Sequence, residues 1–390
     1  MQAARIAVYT DALSLAVENE QIATLSQNTE DGSMILTGVA PGETLLTVSL
    51  AGTSVINSKK ISILQNGIQQ IARMPVNEEN PLLLVSIYAQ TKNTEWMTDP
   101  TGQTVPKGVP AQGNLTVTGV WDMIPDDLKP HTAIQLHGDD FVGHGYGGNG
   151  DHDALWAWYG YFVDQAEEYN RNEPDTSKHI NLYLTLMTGG TPISVLNRTV
   201  PDDELTQFIA EHDCIKGVVL SENHNNSDTV AVAEVSAKYL KMMAQQGCYL
   251  VLTDIDRPGA NMMEKWFNDT DTLYNAAKKY HQYLIINSKS TTSSGFNTVR
   301  SFALGAWLGG LADNWGALTD AWTWYETGYH RIFSGINKVT YEDVRRVYTF
   351  PETLFAMNML QCYANGAVVF NAEHPFYCTG VNLSLIHISE

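Results

Sequence analysis

Basic side chains are scarce in this sequence, and their scarcity limits the partners that the protein can bind. The 390 residues include 23 Lys and Arg against 43 Asp and Glu, which gives a formal net charge of −20. Proteins that bind nucleic acid neutralise its phosphates with a stripe of Lys and Arg, and this chain offers no such stripe. The composition therefore argues against a nucleic-acid partner, whereas a neutral substrate such as a glycan is compatible with it.

Long hydrophobic runs and paired cysteines are also missing. No stretch approaches the roughly 18 consecutive apolar residues of a membrane-spanning helix, so we predict no membrane span. The first ten residues, MQAARIAVYT, contain no secretory signal. We predict buried free thiols rather than disulfides or a zinc site, and no metal or other cofactor. The four cysteines are widely spaced and form no CxxC pair: Cys214, Cys248, Cys362 and Cys378.

The pattern of the first 65 residues differs from that of the rest of the chain. Residues 1–65 contain short alternating runs separated by Gly, Asn, Asp and Pro-Gly turns, which predicts an all-β sandwich. Within it, MILTGVAPGETLLTVSLAG resembles the closing strands of the bacterial group 2 immunoglobulin-like repeat, so we expect a partial immunoglobulin-like domain. Residues 66–80 are predicted to be a linker, and residues 383–390 to be a non-native tail.

From residue 81 onward, apolar strands alternate with amphipathic helices. Eight strand–helix units over about 300 residues predict an α/β fold, a (β/α)8 TIM barrel that spans residues 81–380. A doubly wound open sheet is the alternative. The helix predicted over 227–246 can be capped by Ser227 or Asp228. The predicted strands cover residues 81–89, 132–138, 180–187, 215–222, 248–255, 283–289, 309–317 and 366–373.

The C-terminal ends of the predicted strands carry acidic, imidazole and tryptophan side chains. In a TIM barrel these ends form the functional face. Aromatic rings stack on the C–H faces of sugars, and carboxylates and amides bind their hydroxyls, so we predict carbohydrate as the substrate class. The predicted substrate-binding residues are His137, Asp254, Lys289, Trp315, Trp322, Trp324 and Glu326.

The segment GVVLSENHNN (217–226) carries Glu222 at the tip of a buried strand. Hydrolysis of a glycosidic bond needs one carboxylic acid to protonate the leaving oxygen and a second carboxylate on the opposite face of the sugar. The acid must keep its proton near neutral pH, and burial against apolar walls favours the protonated form. Glu222 is therefore a candidate catalytic acid.

Segments of the barrel portion, taken in order from about residue 76 to 377, resemble glycoside hydrolase family 98. That family contains endo-acting β-galactosidases that act on blood-group glycans, and some endo-xylanases. The resemblance implies an inverting reaction in which Glu222 is the general acid while Asp320 and Glu373 activate water. Glu326 is the alternative to Asp320. The segments that carry the resemblance are PVNEENPLLLVSIY, MIPDDLKPHTAIQL, GCYLVLTD, YLIINSK, SFALGAWLGGLADNWGALTD and GAVVFNAE.

Two stretches depart from the family pattern. Glu222 is followed by NHNNSD where the family has aromatic residues. Residues 137–156, HGDDFVGHGYGGNGDHDALW, form an insertion that we predict to be a mobile loop lining a sugar subsite, with a calcium or other metal site as the alternative. Its glycines do not form a phosphate-binding loop, because no GK[ST] follows.

The resemblance implies a secreted or cell-surface bacterial protein, attached to the surface through flanking domains. Two other functions stay open at this point. An endo-β-1,4-xylanase would belong to the same family. A non-catalytic carbohydrate-binding surface protein would have no need of three carboxylates around one bond.

Overall fold

The structure is a computed structural model that divides into two compact units, Met1–Gln70 and Ile71–Glu390. It describes residues 3–6, 13–27, 34–40, 42–50, 56–63, 72–88, 96–98, 104–106, 116–138, 150–187, 191–223, 226–255, 262–290, 298–319 and 352–372.

The N-terminal unit is a small all-β domain, as the sequence predicts. Its strands form two antiparallel three-stranded sheets, with the orders β1-β4-β3 and β2-β5-β6. Ala23 and Thr44 are buried in this unit, and the Thr44 hydroxyl accepts a hydrogen bond from the backbone N–H of Asn19 at 3.0 Å. The immunoglobulin-like assignment stays a prediction. The six strands are β1 (Ala3–Ile6), β2 (Leu13–Val17), β3 (Ala23–Gln27), β4 (Met34–Gly38), β5 (Gly42–Leu50) and β6 (Ile56–Ile63).

The second unit contains a closed barrel of eight parallel strands, which confirms the predicted (β/α)8 barrel. The last strand pairs with the first, Val369 facing Leu82, so the sheet has no open edge and the doubly wound alternative is wrong. A short two-stranded ribbon, β8 (Trp96–Thr98) and β9 (Thr104–Pro106), follows the first barrel strand. The barrel strands in order are β7 (Leu82–Tyr88), β10 (Thr132–His137), β11 (Leu182–Met187), β12 (Ile215–Ser221), β13 (Tyr249–Ile255), β14 (Leu284–Ser290), β15 (Asn314–Thr319) and β16 (Val369–Ala372).

The helix predicted over 227–246 is observed at Thr229–Gln246, with a cap at each end. In the fifth helix the carboxylate of Asp228 accepts a hydrogen bond from the Ala231 backbone N–H at 2.9 Å, as predicted, and such a cap contributes about 1 kcal/mol. That helix stops at Gly247, whose φ of 68° suits glycine. The helices are α1 (Val117–Asp122), α2 (His152–Asn172), α3 (Ile193–Thr199), α4 (Asp202–Glu211), α5 (Thr229–Gln246), α6 (Met262–Asn268), α7 (Asp271–Tyr280), α8 (Thr298–Leu308) and α9 (Glu352–Ala364). Among the described helices, none is long and apolar enough to cross a membrane.

The second half of the predicted linker belongs to the barrel, which corrects the boundary at residue 80. Met74 and Val76 are buried, and the Val76 backbone N–H donates to the hydroxyl of Tyr249, the first residue of β13, at 3.1 Å. The segment therefore closes the N-terminal end of the barrel. It joins an apolar cluster that also includes Leu82, Leu84, Ala133, Tyr183, Val219, Val251, Ile285, Val368 and Val369.

Arg73 fastens this closing segment to the ends of two helices and a strand. Its guanidinium donates hydrogen bonds to four backbone carbonyls, which is more than we would expect of a residue in a linker. Carbonyl groups near helix C-termini have no partner within the helix, and a guanidinium donor satisfies them. The acceptors are the carbonyls of Ile209 (2.9 Å), His212 (3.1 Å), Ile215 (3.3 Å) and Gln246 (3.0 Å).

Three of the four cysteines are buried free thiols, as predicted: Cys214, Cys248 and Cys362. Cys378 lies outside the described residues. Burial raises the pKa of the Cys214 thiol to about 12 and that of Cys248 to about 11. These thiols are therefore poor nucleophiles and contribute as small apolar side chains.

His152, the first residue of α2, ties that helix to α4. Its ring nitrogens contact the carboxylates of Asp153 (2.8 Å) and Glu204 (2.6 Å). Hydrogen bonds from the ring to Asp153, and secondarily to Glu204, raise the pKa of His152 above its ordinary value of 6.5. A raised folded-state pKa contributes stability that is complete below the unfolded value and is lost as the pH rises through the folded value.

We therefore expect the His152→Gln variant to differ most from the wild type at acid pH. The difference in free energy of unfolding between the two proteins should be larger at pH 5.5 than at pH 9, as measured by urea titration. Without carboxylate neighbours at His152, the difference in free energy of unfolding would not grow toward acid pH. A difference that is independent of pH would therefore contradict the ion pairs. Glu204→Gln should reduce the pH dependence without removing it, because Asp153 remains.

Candidate active site

The C-terminal half of the barrel interior is polar, in contrast to the apolar N-terminal half. Alternation along each strand points these side chains inward, above the apolar cluster, and all are buried. Because the eight strands are parallel and closed, their C-terminal ends meet at one rim, directly above this layer. The inward polar side chains are Ser86, Gln135, His137, Thr185, Ser221, Thr253, Asn287, Lys289 and Asn371.

Five of these side chains form a hydrogen-bonded chain across β7, β10, β11 and β16. His137 Nε2 lies 3.2 Å from the Ser86 hydroxyl, which donates to Asn371 Oδ1 at 3.4 Å. The Asn371 amide donates to Gln135 Oε1, and Gln135 Nε2 donates to the Thr185 hydroxyl at 2.8 Å. The chain fixes the orientation of β16 up to Asn371, two residues before Glu373. His137, which was predicted to bind substrate, belongs to this network, and only 5% of the residue is exposed. Its contact with a sugar stays a prediction.

Glu222 follows β12 in a backbone conformation that few residues adopt. Its φ is 52°, and within the described part of the chain it is the one non-glycine residue with positive φ. Such a conformation costs about 1 kcal/mol or more, and it persists where surrounding contacts hold it. Here the Glu222 backbone N–H donates to the carbonyl of Thr253 on β13 at 3.0 Å. The turn lifts the carboxyl to the rim, where 18% of the side chain is exposed.

A buried lysine contacts the Glu222 carboxylate. The Lys289 ammonium, on β14, donates a hydrogen bond to Glu222 Oε1, and its side chain is only 1% exposed. A buried ammonium is stable only when it is paired and hydrogen-bonded, so this contact satisfies a charge inside the barrel. The carboxyl is the more accessible member of the pair.

Asp254 is fully buried, and its side chain lies on the opposite face of the sheet from the Lys289 side chain. It occupies the face of β13 that Leu250 and Leu252 share, and it faces Ser288 across the strand pair. Lys289 and Asp254 present almost no surface to a ligand, so their predicted sugar contacts stay predictions.

The prediction that Trp315 binds substrate is wrong. The seventh strand runs Asn314–Thr319 rather than over 309–317, so Trp315 lies near its N-terminal end, away from the rim. The ring is fully buried in the core between barrel and helices, and its Nε1 donates to the Asn365 carbonyl at 3.2 Å. The Gly-rich stretch before Asn314, which the prediction included in the strand, instead contains the turn after α8.

Several predicted site residues lie outside the described residues. Asp320 directly follows β15, and Glu373 directly follows β16. Residues 139–149 of the insertion also lie outside them, whereas its last residues begin α2. In the described parts of the chain, no group of three or more His, Cys, Asp or Glu is arranged to hold a metal ion. The remaining site residues outside the described ranges are Trp322, Trp324 and Glu326.

The polar interior of the barrel was not predicted from the sequence. Gln135, Thr185, Asn287 and Asn371 were not predicted as part of the site, although each is buried near the rim. The available signal is a polar residue at every second position near the end of an otherwise apolar strand, as in IINSK. Among the described residues, the side-chain amide of Asn287 has no hydrogen-bond partner, and neither does that of Asn223, which follows Glu222.

Comparisons with known proteins agree with this geometry. The chain matches the family model described as Glycosyl hydrolase family 98 over residues 70–386. It is 31% identical over 316 residues to a blood-group-substance endo-1,4-beta-galactosidase of Clostridium perfringens, covering 79% of this chain and 37% of that protein.

Solved structures show the same likeness. The catalytic module of a family 98 glycoside hydrolase from Streptococcus pneumoniae TIGR4 matches in its native form with a TM-score of 0.62 at 26% identity, over 79% of this chain and 49% of that one. The same module in complex with the LewisY pentasaccharide blood group antigen matches with a TM-score of 0.62 at 27% identity and the same coverage. The chain thus spans about half or less of the length of these relatives. Since the family model covers nearly all of the second unit, including the strand that carries Glu222, this chain belongs to glycosyl hydrolase family 98.

Proposed function

We propose that this chain carries the catalytic barrel of an inverting, endo-acting glycoside hydrolase that cleaves β-linked galactosides in blood-group-like host glycans. The observation that carries the proposal is the placement of Glu222. A strained turn holds its partly exposed carboxyl at the functional rim of the barrel, at the position to which the family resemblance assigns the acid. The names of the clostridial relative and of the streptococcal complex support the choice of blood-group glycans.

In the proposed reaction Glu222 gives its proton to the glycosidic oxygen as the bond to the anomeric carbon breaks. A water molecule attacks the anomeric carbon from the opposite face, and its proton passes to the carboxylate pair of Asp320 and Glu373. Inversion requires about 6.5–9.5 Å between the acid and the base, which leaves room for that water. Glu326 is the alternative partner in the base pair. His137, Asp254, Trp322, Trp324 and Glu326 are the proposed contacts to the sugar.

A secreted or cell-surface location, with attachment through further domains, also belongs to the proposal. One support is the resemblance stated above. The other is the proposed substrate, because a bacterial enzyme meets host-type glycans outside the cell.

The test is a cleavage assay with the purified 390-residue chain. The substrates are the LewisY pentasaccharide, oligosaccharides with A, B and H determinants, plain N-acetyllactosamine chains, and xylan. Products are identified by mass spectrometry, and the anomer that forms first is identified by NMR. We expect release of a blood-group oligosaccharide whose new reducing end is initially the α-anomer, because inversion of a β-linkage gives α.

Each other outcome points to a different function. Initial formation of the β-anomer would contradict inversion. Cleavage of xylan alone would favour the endo-xylanase. Binding of blood-group glycans without cleavage, measured by calorimetry, would favour a non-catalytic surface protein.

A further inference from the structure

We propose that Lys289 is a positioning residue for the catalytic acid. Its ammonium fixes the Glu222 carboxyl so that Oε2, and not Oε1, carries the proton that is given to the leaving group. The inference rests on the proposed function of Glu222 as the acid.

Two neighbouring strands hold Glu222 at two separate points. The backbone N–H is bound by the Thr253 carbonyl on β13, and the carboxyl is bound by the Lys289 ammonium on β14. Lys289 reaches this position from inside the barrel, because β14 directs Ile285, Asn287 and Lys289 to the interior in turn. A residue whose backbone is held by one strand of a closed barrel and whose carboxyl is held by another has little freedom to rotate.

The chemistry of the contact decides which oxygen is protonated. An ammonium has three donor hydrogens and no acceptor, so an oxygen that it contacts must act as the acceptor. The carbonyl oxygen of a protonated carboxyl is a better acceptor than its hydroxyl oxygen, so in the acid form Glu222 Oε1 is the carbonyl oxygen and the proton occupies Oε2. A proton fixed on one oxygen can be directed toward the glycosidic oxygen, and such orientation of reacting groups increases the rate of a reaction.

The exposure of the two side chains argues against a direct contact between Lys289 and the sugar. The Lys289 side chain is 1% exposed while that of Glu222 is 18% exposed, so a glycan at the rim meets the carboxyl. Orientation is the contribution that remains.

The test compares Lys289→Met with the wild type on substrates with poor and good leaving groups. The first substrate is an H-type oligosaccharide with a sugar leaving group, and the second is the 2,4-dinitrophenyl β-glycoside of the H-disaccharide. Rates are measured at the optimum pH of each protein, so that a changed protonation equilibrium is not mistaken for lost orientation. We expect kcat on the first substrate to fall about 10–100-fold with little change in KM. On the second substrate the loss should shrink to about twofold, because dinitrophenolate leaves without protonation.

Two further variants separate this role from a structural one. Glu222→Gln should show the same dependence on the leaving group, and adding Lys289→Met to it should cause no further loss of kcat. Lys238→Met is the matched control, since Lys238 pairs with Asp202 on the surface at 2.7 Å; it should leave both rates unchanged. Lys289→Gln serves if the methionine variant does not fold. Its amide can accept as well as donate, so it does not dictate which carboxyl oxygen carries the proton, and it should show the same leaving-group trend.

The inference is overturned if Lys289→Met lowers both rates equally, if its effect lies in KM, or if it has no effect while Glu222→Gln is inactive on the natural glycan. Failure of the proposed function gives a different result, since the wild type would then cleave neither substrate.

Discussion

Replacing Glu222 with Gln should lower kcat on the natural glycan about 10²–10⁴-fold, because the amide cannot give a proton to the leaving oxygen. The amide keeps nearly the size of the carboxyl, and one oxygen remains as an acceptor for the Lys289 ammonium. Affinity for the glycan should therefore change little. The measurements are kcat with a blood-group oligosaccharide and the dissociation constant by calorimetry.

The stability of the variant needs a separate measurement. The variant replaces an ionic contact of the buried Lys289 ammonium with a neutral one, so we expect a loss of about 1–3 kcal/mol in the free energy of unfolding. Activity should therefore be measured well below the melting temperature. Glu211→Gln, at the end of α4, is the matched control and should keep full activity. Turnover of Glu222→Gln at the wild-type rate would remove Glu222 from the mechanism.

Gly316→Ala should destabilise the barrel by about 3 kcal/mol or more. Gly316 faces Val369 on β16 and Asn287 on β14. A Cβ at this position would overlap the Val369 carbonyl oxygen and Asn287 Oδ1, and would lie 2.7 Å from Val369 Cβ. The carbonyl belongs to the strand that closes the barrel, so it cannot move aside without breaking the β15–β16 ladder.

Gly160→Ala, in a helix, should instead increase the free energy of unfolding. A Cβ at Gly160, inside α2, meets no atom within 4 Å, and alanine is favoured over glycine in a helix by about 1 kcal/mol. Both variants can be followed by tryptophan fluorescence during urea unfolding. All nine tryptophans lie at or after residue 96, so the signal reports the second unit alone. Equal midpoints for Gly316→Ala and the wild type would contradict the packing described for β15.

Much of the fold could be predicted because its signals are local. Each barrel strand is a short apolar run between an amphipathic helix and a turn, and seven of the eight were predicted close to their observed bounds. The seventh was misplaced because GGLADNWGA mixes a helix end with a strand start, and no local pattern separates them. The same error moved Trp315 from the core to the predicted site.

For the candidate site, the sequence predicted which residues lie at the C-terminal rim of the barrel, but not the contacts among their side chains. A residue that follows a barrel strand must lie at the C-terminal face, so the placement of Glu222 needed no coordinates. The prediction that Asp320 and Glu373 join it there rests on the same argument, together with the family resemblance.

Sequence alone therefore determined the alternation of strands and helices, the closed barrel and the rim on which the acid lies, because burial periodicity and chain order fix these. Only the tertiary structure decided that Lys289, 67 residues away, holds the Glu222 carboxyl, and that Arg73 and the segment after it close the opposite end of the barrel. Those contacts depend on strand register, on the left-handed turn at Glu222 and on which side chains share the interior, and none of these leaves a mark at fixed spacing along the chain.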